Sequence, residues 1–226
     1  MNWKKIWYFI WREDSWSSWV VNVVLAIIIV KFLIYPGLGL LLGTGFPVVA
    51  VVSCSMQHEE SNCWPDFYMK SGGSFEDLKR SIAKPKMLCG KAMEESNQNS
   101  DYWEVCGGWY ESREITKEEF SKFPQNKGFN IGDIFILQKP KDIKLGEVIV
   151  YNNGFNAAPI IHRVIEINEE DGKTFYKTKG DYNEKSYAFE EKISENKVYG
   201  KVLLKVPYLG WVKIMFNMLL KMVGVV

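Results

Sequence analysis

From Ser15 to Val30 the chain reads "SWSSWVVNVVLAIIIV", without a single Asp, Glu, Lys or Arg. No other feature restricts the possible folds as much. Extended to Ile34, the stretch Trp16–Ile34 has 19 residues. As a helix it would be ~28 Å long, close to the ~30 Å hydrocarbon core of a bilayer. Lys31 lies near its far end, where an ammonium can snorkel to the headgroups. Pro36-Gly37 is expected to stop the helix. Trp3, Trp7, Trp11, Trp16 and Trp19 form an aromatic approach of the kind found at membrane interfaces. The apolar run is longer than the core of a cleaved leader, and no A-x-A site follows it, so it reads as an uncleaved anchor. Lys4, Lys5 and Arg12 precede it, and after Lys31 the next Lys or Arg is Lys70. The positive-inside rule then puts residues 1–15 in the cytoplasm, a span at 16–35 in the cell membrane, and the rest of the chain outside.

The remainder divides by pattern. Residues 38–46, "LGLLLGTGF", are apolar and glycine-rich and lead into the strand-like run "PVVAVV". Residues 59–128 are more polar and hold Cys63, Cys89 and Cys106, with short helical patterns at Phe75–Ser81 and Thr116–Lys122. They read as an inserted subdomain, and an outside location permits disulfides there. Beyond Phe129 come strand-like runs rich in β-branched and aromatic residues, among them "DIFIL", "GEVIVY", "PIIHRVIEI" and "TFYKTK". Residues 36–58 and 129–206 are therefore expected to form one mainly β domain. The C-terminal 207–226 reads as a membrane-associated helix, with Lys213, Asn217 and Lys221 on one stripe. That stripe suits an interfacial helix, and a second span stays open beside it.

The net charge of +1 gives no basic footprint for nucleic acid. No C-x-x-C is present, so no metal centre and no cofactor is expected.

The run from Pro47 ends in Ser53-Cys54-Ser55-Met56. A serine hydroxyl attacks a carbonyl only if a base removes its proton. The chain has two histidines, His58 and His162. His58 sits in a segment expected to turn away. His162 lies in a strand followed by Asp171-Gly172, a two-residue hairpin signal of the type I′ kind. With that loop, Glu170 faces Lys173, Glu166 faces Lys177 and His162 faces Asp181. Directly opposed side chains have Cβ atoms ~5 Å apart, near enough for a carboxylate to fix the imidazole tautomer. Ser55, His162 and Asp181 are thus the candidate nucleophile, base and orienter.

"VVSCSM", "IIHRVIEI" and "FYKTKGDYN", in that order, resemble the Ser-Met, His-Arg-Val and Lys-Gly-Asp boxes of type I signal peptidases, in their archaeal and endoplasmic-reticulum subfamily. "FNIGDIFIL" and "GKVLLKVPYLGWV" resemble further boxes of that family. The resemblance covers roughly 16–58 and 129–212. It implies a coiled β-sheet catalytic domain and a membrane-bound serine endopeptidase that cleaves N-terminal signal peptides from exported preproteins at the outer membrane surface. The preproteins, the lipid bilayer and the protein-export machinery are the partners it implies. Ser55 would be nucleophile, His162 general base, Asp181 the acidic partner, and the Ser53 hydroxyl and Ser55 N–H the oxyanion hole. Two departures stand out. Tyr187 occupies a position where relatives often carry a second acid, a role open to Glu184 or Glu190. Some 70 residues also intervene before Gly132-Asp133. The alternative is a non-catalytic, membrane-anchored binding or assembly subunit of the same fold.

Overall fold

The computed structural model describes residues 3–59, 86–93, 101–154 and 159–222. The expected helix at Phe75–Ser81 and Cys63 lie outside them. Helix α1 (Trp3–Trp11) is followed by α2 (Trp16–Ile29), a π-helical turn (Val30–Ile34) and α3 (Tyr35–Leu42). Ser15 caps α2 by accepting from the Ser18 N–H at 3.2 Å. The Ser18 hydroxyl donates to the Phe9 carbonyl, and Asn22 Nδ2 donates to the Ile10 carbonyl at 2.9 Å. These two α2 side chains satisfy last-turn carbonyls of α1 that have no partner within their own helix.

Pro36 does not end the helix. Trp16–Leu42 runs for 27 residues with none of its most apolar window buried, and it is long and apolar enough to cross a membrane. The reason is the π-turn. Tyr35 N–H bonds to Val30 O, five residues back, so the ladder is already widened where the proline lacks a donor. Helix α3 stops at Gly43, in the left-handed region at φ 67°. Its end is fastened to the sheet: Lys139 N–H donates to Leu42 O at 2.8 Å, and Thr44 Oγ1 to Tyr199 O at 2.7 Å.

The β domain has the mainly β character expected. Strands β1 (Val48–Ala50), β4 (Ile134–Gln138), β5 (Val148–Tyr151), β6 (Ile160–Glu170), β7 (Lys173–Lys179), β8 (Ile193–Ser194) and β9 (Val198–Val206) form one curled antiparallel sheet in the order β1-β4-β9-β5-β6-β7-β8. A separate short ladder joins β2 (Met87–Leu88) to β3 (Lys91–Ala92). One face packs Val51, Met56, Phe129, Phe135, Leu137 and Val150. Another cluster joins Ile149, Tyr151, Val164, Tyr176 and Ile193.

Helices α4 (Tyr102–Glu111) and α5 (Lys117–Ser121) lie in the stretch 59–128. Thr116 caps α5 in a capping box with Glu119. Tyr102, Cys106, Tyr110 and Phe120 pack in one cluster with Leu88, Cys89 and Ile165 of β6, so α4 and α5 rest on the sheet. Cys89 is disulfide-bonded to Cys106, and Cys54 is also disulfide-bonded.

Helix α6 (Trp211–Met222) has 12 described residues, ~18 Å by helical rise. Ile214 is buried against Cys54 and Ile131, while Val212, Met215 and Phe216 stay exposed. The side chains of Lys213 and Lys221 lie outside the described residues. The turn before β4 seats this helix. Gly132 has φ 90°, and a Cβ there would stand 2.2 Å from the Trp211 indole. Gly132→Ala combines left-handed strain with overpacking and should cost about 2–4 kcal/mol. Chemical unfolding in detergent, followed by tryptophan fluorescence, measures the loss.

Candidate active site

The serine turn is held from both sides. Past β1, Val51 N–H bonds to Asp133 O at 2.8 Å and Gly132 N–H to Val51 O at 3.0 Å, so the pairing continues to Val51, two residues before Ser53. Met56 is fully buried, and Phe129 N–H donates to its carbonyl at 3.1 Å. With Met56 anchored in the core, Ser55 sits half-buried at the bend. Its carbonyl accepts from Tyr182 N–H at 2.9 Å, and its Oγ is 3.2 Å from Ser53 Oγ.

His162 comes to the same place from β6. The point where a Cβ on Gly180 would sit lies 2.6 Å from Ser55 O and 2.9 Å from His162 Nε2. Residue 180 therefore has to be without a side chain if the imidazole and the serine turn are to approach each other. The other ring nitrogen, Nδ1, bonds to Glu190 Oε1. Glu190 is fully buried on a short 3₁₀ turn, Ala188–Glu190. Its Oε2 accepts from Tyr187 N–H at 2.8 Å, its Oε1 from Thr178 Oγ1 at 3.3 Å, and Tyr151 OH lies 2.9 Å from that hydroxyl. A carboxylate on Nδ1 fixes the tautomer that leaves Nε2 as an acceptor.

The expected pairing of His162 with Asp181 is not what the structure has. The Asp171-Gly172 turn forms, both residues having positive φ, and Glu170 faces Lys173 and Glu166 faces Lys177 as expected. A β-bulge then intervenes between Val164 and Glu166, and beyond it Val164 faces Thr178 and Arg163 faces Lys179. One extra residue, Ile165, shifts the register by one and alternation does the rest. Arg163, Lys179 and Asp181 fall on the α4 side, opposite His162, Thr178 and Glu190.

Asp181 has other partners. Arg163 Nη2 donates to it at 2.6 Å and Nε at 3.0 Å, His58 Nε2 lies at 2.8 Å, and Tyr110 OH donates at 3.0 Å. Burial alone would raise its pKa. The Arg163 guanidinium, with the hydrogen bonds from His58 and Arg163, instead holds it far below the carboxylate range. Burial pushes the Lys179 ammonium down to about 8, against the pull of Asp181 and Glu190. Burial also pushes Tyr102 and Tyr110 well above the usual phenol value, with the charge of Asp181 adding to it, so both hydroxyls remain donors. His58 stacks on Tyr102 with ring centroids 3.6 Å apart. Glu184 is exposed, its side chain against Gly90.

Glu190 was one of two acids open to the vacant role, and no motif singles it out. Its signal is only that it closes a short turn before β8, the strand that pairs with β7 beside Thr178.

No family model matches the chain. It is similar to curated proteins named signal peptidase complex catalytic subunit. To SEC11 of Yarrowia lipolytica it is 42% identical over 53 residues, 23% of this chain and 31% of that protein. To SEC11C of Homo sapiens it is 35% identical over 97 residues, 39% of this chain and 50% of that protein. To SEC11 of Ogataea parapolymorpha it is 34% identical over 106 residues, 39% of this chain and 60% of that protein. The chain thus spans 31% to 60% of the length of these curated relatives.

The pKa of Asp181 is lowered in the fold, so below about pH 4 the unfolded chain takes up a proton that the folded one does not. Its contribution is present at neutral pH and is lost as pH falls through that range. Asp181→Asn leaves the buried Arg163 without its counter-charge and should cost on the order of 3–5 kcal/mol at pH 7. Denaturant unfolding from pH 7 to 3 should show wild type losing stability more steeply than the variant.

Proposed function

We propose that this chain is a membrane-anchored serine endopeptidase that removes signal peptides from exported preproteins. In this reading Ser55 is the nucleophile, His162 the general base and Glu190 the carboxylate that orients it. Asp181 passes from orienter to structural anchor. The carrying observation is the imidazole of His162, with one nitrogen on a buried carboxylate and the other facing the turn that presents Ser55.

The chemistry follows from those positions. As Ser55 Oγ attacks the scissile carbonyl, its proton passes to His162 Nε2. The tetrahedral oxyanion is met by the Ser55 N–H and the Ser53 hydroxyl. The imidazolium, stabilised by Glu190, then protonates the leaving amine. Water enters, gives a proton to Nε2 and attacks the acyl-serine; as the ester bond to Oγ breaks, Nε2 returns that proton to Ser55 Oγ and the cleaved signal peptide leaves as a free acid.

The substrate adds as a strand. Among the described strands β1 pairs only with β4 and none covers its other edge, along which an extended peptide leading to Ser55 would add. The apolar Trp16–Leu42 helix suits a lipid bilayer, and Leu40 and Leu41 at its end are 88% and 80% exposed. With residues 1–15 in the cytoplasm and the β domain outside, the site meets signal peptides as they emerge at the outer membrane surface, beside the export machinery. The names of the similar proteins support this assignment.

Cleavage of a signal-peptide-bearing preprotein by the full chain in detergent is the test. Ser55→Ala should abolish turnover, a loss of several orders of magnitude; substantial remaining cleavage would overturn the reading. Glu190→Gln should lower kcat by about 10²–10⁴ by spoiling the tautomer. Ser53→Ala should cost roughly 10²–10³.

A further inference from the structure

The turn at Asp181-Tyr182 touches the serine turn on one side and the insertion on the other. Toward the site, Tyr182 N–H holds the Ser55 carbonyl at 2.9 Å, and Asp181 N–H points at Met56 Sδ at 3.2 Å. Toward the insertion, Tyr102 OH donates to the Asp181 carbonyl at 2.8 Å and Tyr110 OH to its carboxylate at 3.0 Å. Cys89 N–H donates to the Tyr182 carbonyl at 2.9 Å. Cys89 Sγ lies 3.2 Å from the Asp181 carbonyl oxygen, and as half of a disulfide it has no proton to donate.

Tyr102, Cys106 and Tyr110 recur every four residues on α4, so they share one face. All three are buried. The Cys89–Cys106 disulfide ties the β2–β3 hairpin to that face. One covalent bond therefore fixes three donors on a two-residue turn, and that turn fixes the backbone of Ser55. The serine's backbone sets both where Oγ stands and where its N–H points. Displacements near 1 Å at such a centre can cost on the order of 10²-fold in rate.

Resting on the peptidase reading, we propose that the Tyr102–Tyr110 face of α4, held by the Cys89–Cys106 disulfide, positions Ser55 through the Asp181-Tyr182 turn. Tyr102 and Tyr110 are then positioning residues, contributed by the stretch that the family resemblance does not cover.

The experiment compares Tyr110→Phe, Tyr102→Phe and Cys89→Ala/Cys106→Ala with wild type as full chains in detergent. Two readouts are taken below the unfolding temperature. The first is steady-state cleavage of a signal-peptide-bearing preprotein. Each variant should lose about tenfold or more in kcat with KM within about twofold, because the donors act on the nucleophile and not on the substrate-binding edge. Lower thermal stability with unchanged kcat would mean that the insertion only stabilises, and would overturn the proposal. The second is amide hydrogen exchange, which needs no activity. Protection of the Tyr182 N–H should fall about tenfold or more in each variant, while the amides of the β6–β7 hairpin near Asp171 keep theirs. Unchanged protection at Tyr182 would overturn the proposal whether or not the protein cleaves anything. Cleavage that survives Ser55→Ala would instead remove the peptidase reading and leave the exchange result to decide the coupling.

Discussion

The Arg163–Asp181 pair holds together everything around the site. Both side chains are completely buried, and a buried charge survives only if its partner and its hydrogen bonds are complete. Here they are. Arg163 Nε and Nη2 bind Asp181, Nη2 also reaches Gln125 O, and Nη1 reaches Pro124 O and Gly146 O. A guanidinium has five N–H groups, so none is left over. The carboxylate in turn collects His58 from the serine segment and Tyr110 from α4. Four parts of the chain far apart in sequence are thereby pinned to one strand position. Lysine could not replace the arginine, because a single ammonium cannot reach partners spread over a planar fork.

That arrangement divides β6 and β7 into two faces with different work. Arg163, Lys179 and Asp181 look toward α4, while His162, Thr178 and Glu190 look the other way. The charged structural pair therefore does not compete for the imidazole. Glu190 is free to hold His162, itself supported by Thr178 and the backbone of Tyr187. Gly180 is the crossing point: it lets the chain pass from one face to the other with the serine carbonyl and the imidazole both close by.

The hairpin was legible in the sequence because Asp171-Gly172 encodes its turn locally, and the Glu166–Lys177 pairing follows from it. The partner of His162 was not legible, and the failure has one cause. Ile165 is displaced into a bulge, and it is 5% exposed within the cluster made by Tyr102, Cys106 and Phe120. Nothing in "IIHRVIEI" states that a helix some 60 residues earlier will take in that side chain. Strand alternation carried the reading correctly as far as Glu166 and one residue off beyond it. Glu190 was hidden for a related reason: it reaches His162 through a 3₁₀ turn, whose geometry has no periodic signature. The membrane-length helix was plain, yet its end was not. Pro36 is a breaker by rule, and only the π-turn before it removes the hydrogen bond that the ring would have cost.

The fastening of α3 to the sheet matters for the same chemistry. A loose linker between the apolar helix and β1 would let the sheet tumble above its anchor. Instead, Leu42 O, Thr44 Oγ1 and the Pro47 carbonyl are each bonded to the sheet, with Leu137 N–H taking the last at 3.0 Å. β1 covers Val48–Ala50 and the chain turns at Ser55-Met56, so at ~3.3 Å per residue the nucleophile stands no more than about 25 Å from the foot of β1. In the proposed reading that fixed height selects the bond to be cut. A substrate helix held in the same bilayer emerges at a set level, and a peptide added along the open edge of β1 rises beside the enzyme's own strand at the same pitch. The reach from membrane to serine is then a matter of residue count on both chains, measured from the same surface.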